Sequence, residues 1–151
     1  IMTDQSFIDT AIVACGTMSP EINYLADKGF LDTQHIFYTT PGLHQDIPEL
    51  ERQLLKFIEK AKAVAKGVIV VYGGKYCYVN IDDPTRLMQT IIEEQGLSVV
   101  RVEATHCMGM LATDEEMENI KNELAGDEPV WFMTPGWVKY KNRCLKAGTK
   151  A

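Results

Sequence analysis

The sequence lacks any long apolar run. No hydrophobic stretch approaches the roughly 20 residues that a membrane-spanning helix requires, and the chain does not open with the charged and then apolar segments of a secretory signal. We therefore expect a cytoplasmic protein with no membrane partner. Ile1, which precedes Met2, is expected to be foreign to the native sequence.

Positive charge is also scarce, with 15 Lys and Arg against 21 Asp and Glu and a formal net charge of −6. Because neutralising phosphates takes clustered Lys and Arg, this balance argues against a nucleic-acid partner. Hydrophobic residues make up 46% of the 151 residues and charged residues 24%, as in a globular protein. One domain over residues 1–151 is expected, long enough to bury a core without staples.

Common motifs of nucleotide binding and nucleophilic catalysis are missing. The segment around Gly73 fits neither G-x-G-x-x-G nor the P-loop pattern, and no G-x-S-x-G elbow occurs. The cysteines form no C-x-x-C pair. Without a secretory signal, we expect them to be reduced thiols, metal ligands or buried fillers.

What the sequence does contain is a regular alternation of strand and helix patterns. Runs rich in β-branched and aromatic residues predict strands at 7–15, 35–40, 67–73, 97–104 and 129–135. Helical spacing and capping residues predict helices at 19–29, 47–66, 83–96, 113–126 and 137–148. This order predicts a single-domain, doubly wound α/β sandwich with a five-stranded, mostly parallel sheet, Rossmann-like or flavodoxin-like. The strand order stays open.

Residues with unusual chemistry follow the ends of the predicted strands. Since the carboxyl ends of parallel strands share one edge, where ligands bind, we expect these residues to form one site. The predicted metal ligands are Cys15, His44, Cys77, His106 and Cys107. The predicted ligand-contacting residues are Gly73, Gly74, Lys75, Thr134 and Trp137.

Thiolates and imidazoles are the ligands of zinc, and thiolates also hold iron–sulfur clusters. The alternative is that each cysteine packs as a small apolar residue, which is our interpretation of Cys144. His106 and Cys107 are neighbours, and neighbours in an extended segment point to opposite faces, so His106 is a poor base for Cys107. No catalytic residue is assigned.

Five segments occur in a fixed order: VACG, GLHQDIPEL, VVYGGKYC, THCMGML and WFMTPGW. Together they resemble the family called domain of unknown function 1638, over nearly the whole chain. Cys15, His44, Cys77 and Cys107 match its recurring Cys and His positions. The chain departs from the family pattern in a longer loop before Cys77, and in His106 where an acid is usual.

Members of that family occur in methanogenic archaea and anaerobic bacteria, often encoded near corrinoid-dependent methyltransferases. The resemblance implies a role in one-carbon metabolism, with a corrinoid protein or methyltransferase as partner. Two functions follow as hypotheses. One is a zinc or iron–sulfur site, accessory to or catalytic in methyl transfer; the other is a metal-free binding module for a corrinoid protein or small ligand. In a third hypothesis the cysteines only fill space in the core, and the function lies at a protein interface. Whether the protein is an enzyme stays open, as does its oligomeric state.

Overall fold

The computed structural model describes residues 6–144. Its sheet has four parallel strands in the order β2-β1-β3-β4. The strands are β1 Thr10–Ala14, β2 Ile36–Tyr38, β3 Gly67–Val71 and β4 Val99–Arg101. The chain runs from β1 to β2 on one side and then to β3 on the other, so the strand order reverses between β1 and β3. Doubly wound sheets bind ligands at such a reversal.

Six helices accompany the sheet. They are α1 Ser19–Asp27, α2 Ile47–Val64, α3 Met88–Glu93, α4 Asp114–Leu124, α5 Pro135–Lys139 and α6 Lys141–Cys144. Three 3₁₀ turns, at Gly16–Met18, Leu43–Gln45 and Met108–Met110, follow β1, β2 and β4. Among the described residues no helix is both long enough and apolar enough to cross a membrane.

Both faces of the sheet are covered. On one face α2 buries a stripe of Leu50, Leu54, Ile58 and Ala61, whose spacing of three or four residues puts them on one side of the helix. This stripe packs in one cluster with the alternate residues of β1 and β3 and with α3. On the other face, Ile12 and Ala14 of β1 pack with Ile22 of α1. The mixed α/β class is therefore confirmed.

The predicted fifth strand is not present: residues 129–134 carry no strand, and the described sheet has four strands. The apolar residues at 131–133 instead line a crevice at the sheet's carboxyl edge. All three side chains are exposed, and β propensity reflects how well a side chain fits a half-buried sheet surface, which these residues do not occupy.

Two helices also differ from their predicted bounds. The segment predicted as a helix from Asp83 begins only at Met88, because Asp83 Oδ1 accepts from the Thr85 amide at 3.1 Å and holds a turn there. The last predicted helix, 137–148, starts earlier at Pro135 and is split in two after Lys139. Residues 145–148 and Ile1 lie outside the described residues.

Candidate thiol site at the carboxyl edge of the sheet

The loops that follow the four strands meet around one crevice of about 370 Å³. All five predicted metal-binding side chains line it: Cys15, His44, Cys77, His106 and Cys107. Of the predicted ligand-contacting residues, Trp137 lines the same crevice. Gly74 and Lys75 line a neighbouring polar cleft, and the buried Thr134 caps α5 by accepting a hydrogen bond from the Trp137 amide at 3.0 Å.

Cys77 and Cys107 form the centre of the site, with their sulfurs 4.0 Å apart. Cys77 lies in the turn after β3, and Cys107 directly precedes the 3₁₀ turn after β4. Backbone hydrogen bonds join the two loops, from Gly74 N to Ala104 O at 2.8 Å and from Tyr76 N to Thr105 O at 3.3 Å. The thiols are therefore brought together by a continuation of the β3–β4 pairing.

Gly73 permits this close approach. A Cβ at position 73 would lie 2.5 Å from Cys77 Sγ and 2.7 Å from the Cα of His106. Both distances are too short for a carbon atom, so any other residue would push the two loops apart. Position 73 therefore needs glycine because of steric contact, and not because of a turn conformation.

Arg101, the last residue of β4, reinforces the same junction. Its guanidinium donates to the carbonyls of Tyr72 at 3.1 Å, Val102 at 2.9 Å and Ala104 at 3.0 Å. These carbonyls lie just past the ends of β3 and β4, where the hydrogen bonding between the two strands stops. One side chain thus satisfies backbone acceptors from both loops and places a positive charge near the Cys77 thiol.

The two thiols have opposite protonation preferences. A hydrogen bond from the Cys107 thiol lowers the pKa of Cys77, with further lowering by the Gly73 amide and the Arg101 charge. The same hydrogen bond raises the pKa of Cys107, since that thiol must keep its proton to donate, and burial adds to the rise. The pair therefore loses its first proton from Cys77.

Cys15 lies on the same wall but is more isolated. Burial raises its pKa, and its partners are Thr17 and the hydroxyl of Tyr72. Tyr72 is only 2% exposed and hydrogen-bonds Thr39. Within residues 6–144, no group of three or more His, Cys, Asp or Glu is arranged to hold a metal ion. The structure thus brings two thiols together as a pair and leaves Cys15 beside them.

The two histidines differ in how their ring nitrogens are used. His106 Nδ1 accepts from the Gly109 amide at 3.1 Å, so the neutral ring carries its proton on Nε2. His44 Nε2 lies 3.3 Å from Gln45 Nε2, which is a donor, and its ring lies 5.9 Å from that of Trp137. Burial lowers the pKa of His44 and favours the neutral ring.

An aromatic wall completes the crevice. Trp131, Phe132 and Met133 line it together with Trp137, and Trp131 is 80% exposed. Sequence reasoning placed residues 131–133 in a strand and so missed them. Two prolines, Pro129 and Pro135, bracket this segment. They were the available signal against a paired strand, because proline cannot donate to a sheet.

Helix α5 fits against the site through its second residue. The Gly136 amide donates to Glu21 Oε1 at 3.0 Å, and a Cβ on Gly136 would lie 1.6 Å from the carbonyl oxygen of Thr17. The helix backbone therefore contacts the turn after β1 directly. This contact fixes Trp137 beside His44 and closes one end of the crevice.

Together these features define an α/β protein with a thiol pair in an aromatic-walled crevice, at the carboxyl edge of a parallel sheet. The model of the family described as "Protein of unknown function (DUF1638)" matches residues 38–151. The chain belongs to this family, as its sequence resemblance predicted. The matched region contains His44, Cys77, His106 and Cys107 and begins after Cys15. No curated protein and no solved structure matches the chain.

Proposed function

We propose that the protein binds a thiophilic metal ion, zinc in the first place, through Cys77 and Cys107. The observation that supports this most directly is their sulfur–sulfur distance of 4.0 Å. Two thiolates on one tetrahedral zinc, each about 2.3 Å from the metal, lie roughly 3.8 Å apart. The pair thus needs little movement to hold one ion, and the lowered pKa of Cys77 supplies the first thiolate.

Cys15 is the third ligand of this proposal. It shares the crevice with the pair, and its pKa responds to the charge of Cys77. Its sulfur has to turn toward the pair when a metal ion binds. Most iron–sulfur clusters are held by four cysteines. The crevice offers three, since Cys144 lies on α6 and does not line it. This count favours zinc over a cluster.

His44 is a better fourth ligand than His106. A metal at His106 Nε2 would require the proton to move to Nδ1, which would end the hydrogen bond from the Gly109 amide. His44 Nε2 already accepts a hydrogen bond, so a metal there requires that the Gln45 side chain move away, which also ends the hydrogen bond from Gln45 Nε2 to the Cys144 carbonyl at 3.1 Å. His106 is then free to donate its Nε2–H into the crevice.

A zinc-bound thiolate is a strong nucleophile, which suits an alkyl acceptor or a methyl-transfer site. The crevice beside the thiols has room for a substrate group against the aromatic wall. The link to corrinoid-dependent methyl transfer stays a prediction from the family resemblance, as does a corrinoid protein or methyltransferase partner.

Cobalt(II) titration of the reduced full-length chain tests the metal site, because thiolate-bound cobalt gives intense sulfur-to-metal charge-transfer absorption. We expect saturation at one ion per chain. Cys77→Ser and Cys107→Ser should lose the band, while Cys144→Ser, which removes a thiol outside the crevice, should keep it. A band of equal strength in all three variants, or none in the unsubstituted chain, would refute the proposal.

The aromatic wall supports a second candidate, a metal-free binding module. Exposed tryptophan beside an apolar crevice is typical of a surface that meets a ligand or partner, and Trp131 is 80% exposed. Titration with cobalamin, followed by tryptophan fluorescence, separates the two candidates. Quenching that survives replacement of Cys15, Cys77 and Cys107 by alanine would favour the module, while no quenching in the unsubstituted chain would exclude cobalamin as its ligand.

A further inference from the structure

The Cys77–Cys107 pair has a second chemical use that does not need a metal. Two thiols in contact are also the starting arrangement for a disulfide. The sulfurs lie 4.0 Å apart, and a disulfide requires about 2.05 Å. A relative movement of about 2 Å would therefore join them.

Both cysteines lie in segments where such a movement costs little free energy. Cys77 is in a turn and Cys107 precedes a 3₁₀ turn, so neither belongs to a strand or helix. Both are partly exposed, so a small oxidant in the crevice can reach them. The hydrogen bonds from Gly74 to Ala104 and from Arg101 to the strand ends hold the two loops in register while the side chains turn.

We propose that Cys77 and Cys107 are a redox-active dithiol that a peroxide converts to a reversible disulfide. Cys77 and Cys107 form the pair because their sulfurs are in contact at 4.0 Å, whereas Cys15 lies beside them in the crevice. The disulfide removes two of the three thiolates of the candidate metal site, so oxidation would switch metal binding off. That regulatory consequence rests on the proposed function, whereas disulfide formation itself does not.

The reaction balances with hydrogen peroxide as the oxidant. One thiolate attacks a peroxide oxygen, a sulfur–oxygen bond forms, the oxygen–oxygen bond breaks and hydroxide leaves. The second sulfur then attacks the sulfenic acid, a sulfur–sulfur bond forms and the sulfur–oxygen bond breaks. Two thiols lose two electrons and two protons in total, and one peroxide becomes two water molecules. A dithiol reductant reverses the change.

The test uses the full-length chain, freed of metal with a chelator and treated with a small excess of hydrogen peroxide. Intact mass should fall by two hydrogen atoms per chain, and peptide mapping should join the Cys77 and Cys107 peptides. Dithiothreitol should restore the original mass, and the matched Cys144→Ser variant should behave identically. A disulfide to Cys15 or Cys144 would overturn the proposal, as would sulfinic acid with no loss of two hydrogens.

A parallel sample preincubated with zinc separates this inference from the proposed function. If zinc binds the pair, peroxide should form the disulfide at least tenfold more slowly in the zinc sample than in the metal-free one. If the Cys77–Cys107 disulfide forms at the same rate in both samples, zinc ligation and the metal switch are refuted, but the redox-active dithiol is supported. Absence of the linkage in the metal-free sample would refute the dithiol whatever zinc does.

Discussion

The Arg101 guanidinium donates a hydrogen bond to the main-chain carbonyl of Tyr72 at 3.1 Å, across the boundary between β4 and β3. Tyr72 is the first residue after β3, where the strand ladder ends and its loop turns toward Cys77. Together with the hydrogen bonds to the carbonyls of Val102 and Ala104, this contact lets Arg101 set the distance between the two loops that carry the thiols.

Replacing Arg101 with glutamine should therefore both destabilise the protein and disturb the thiols. The loss of three hydrogen bonds to carbonyls is expected to lower the free energy of unfolding by about 1–3 kcal/mol, allowing for partial exposure. Urea unfolding measures this, and removal of the Arg101 charge should also raise the Cys77 pKa. The control is Arg52→Gln, which breaks an exposed ion pair with Glu49 and should cost less stability than Arg101→Gln. Equal losses in the two variants would contradict this role for Arg101.

The unequal pKa values of the thiol pair predict selective alkylation in the metal-free chain. Because its pKa is lowered, Cys77 should react with iodoacetamide at lower pH than Cys15, Cys107 or Cys144, whose pKa values are raised. Cys107→Ala removes the hydrogen-bond donor and should move the Cys77 profile to higher pH. Peptide mass spectrometry across a pH series measures both profiles, with Cys144→Ala as the control. An unshifted Cys77 profile in Cys107→Ala would show that the pair is not coupled.

His44 should make stability depend on pH. Its folded pKa lies below that of the unfolded chain, which is near 6.5, so the unfolded chain binds the proton more readily. The contribution of His44 therefore favours the folded state above about pH 6.5 and is lost as pH falls through the folded pKa. In urea unfolding, His44→Gln should lose less stability than the unsubstituted chain between about pH 7.5 and 5.5. If both proteins lose the same free energy of unfolding over this pH range, groups other than His44 cause the pH dependence.

Gly136 should not tolerate a side chain. Alanine there would put a Cβ 1.6 Å from Thr17 O, so α5 must move away from the turn after β1. We expect Gly136→Ala to lower the free energy of unfolding by about 1–3 kcal/mol and to change the fluorescence of Trp137. Gly67→Ala is the matched control, because the nearest atoms to its new Cβ are 3.8 and 3.9 Å away. A Gly136→Ala variant as stable as Gly67→Ala would show that the contact is not tight.

The sequence predicted which residues meet at the edge better than how they are arranged there. Alternating periodicity and the position of Cys15, Cys77 and Cys107 after strands were enough to expect one shared crevice, because parallel strands deliver their ends to the same side. The 4.0 Å contact between Cys77 and Cys107 depends on Gly73 and Arg101. Neither their steric fit nor their hydrogen bonds leave a pattern in the sequence.

The segment at residues 129–134 shows where β propensity misled the sequence prediction, since Pro129 and Pro135 were a signal against a paired strand. Trp131, Phe132 and Met133 have the β propensity of a strand, but their side chains are exposed along the crevice rather than buried in the sheet. Thr134 was predicted to contact a ligand because it follows this segment. It is 1% exposed and caps α5, since a threonine before proline at a helix start satisfies a free amide.

Whether Cys77 and Cys107 hold a metal ion is decided by the metal content of the full-length chain purified without oxygen. We expect about one zinc per chain, carried by sulfur ligands on a tetrahedral ion. Cys77→Ser and Cys107→Ser should each lose the metal, and Cys144→Ser should retain it. Protein that takes up no zinc when it is supplied in the reduced state, or variants of Cys77 and Cys107 that keep a full complement, would contradict the proposed metal site.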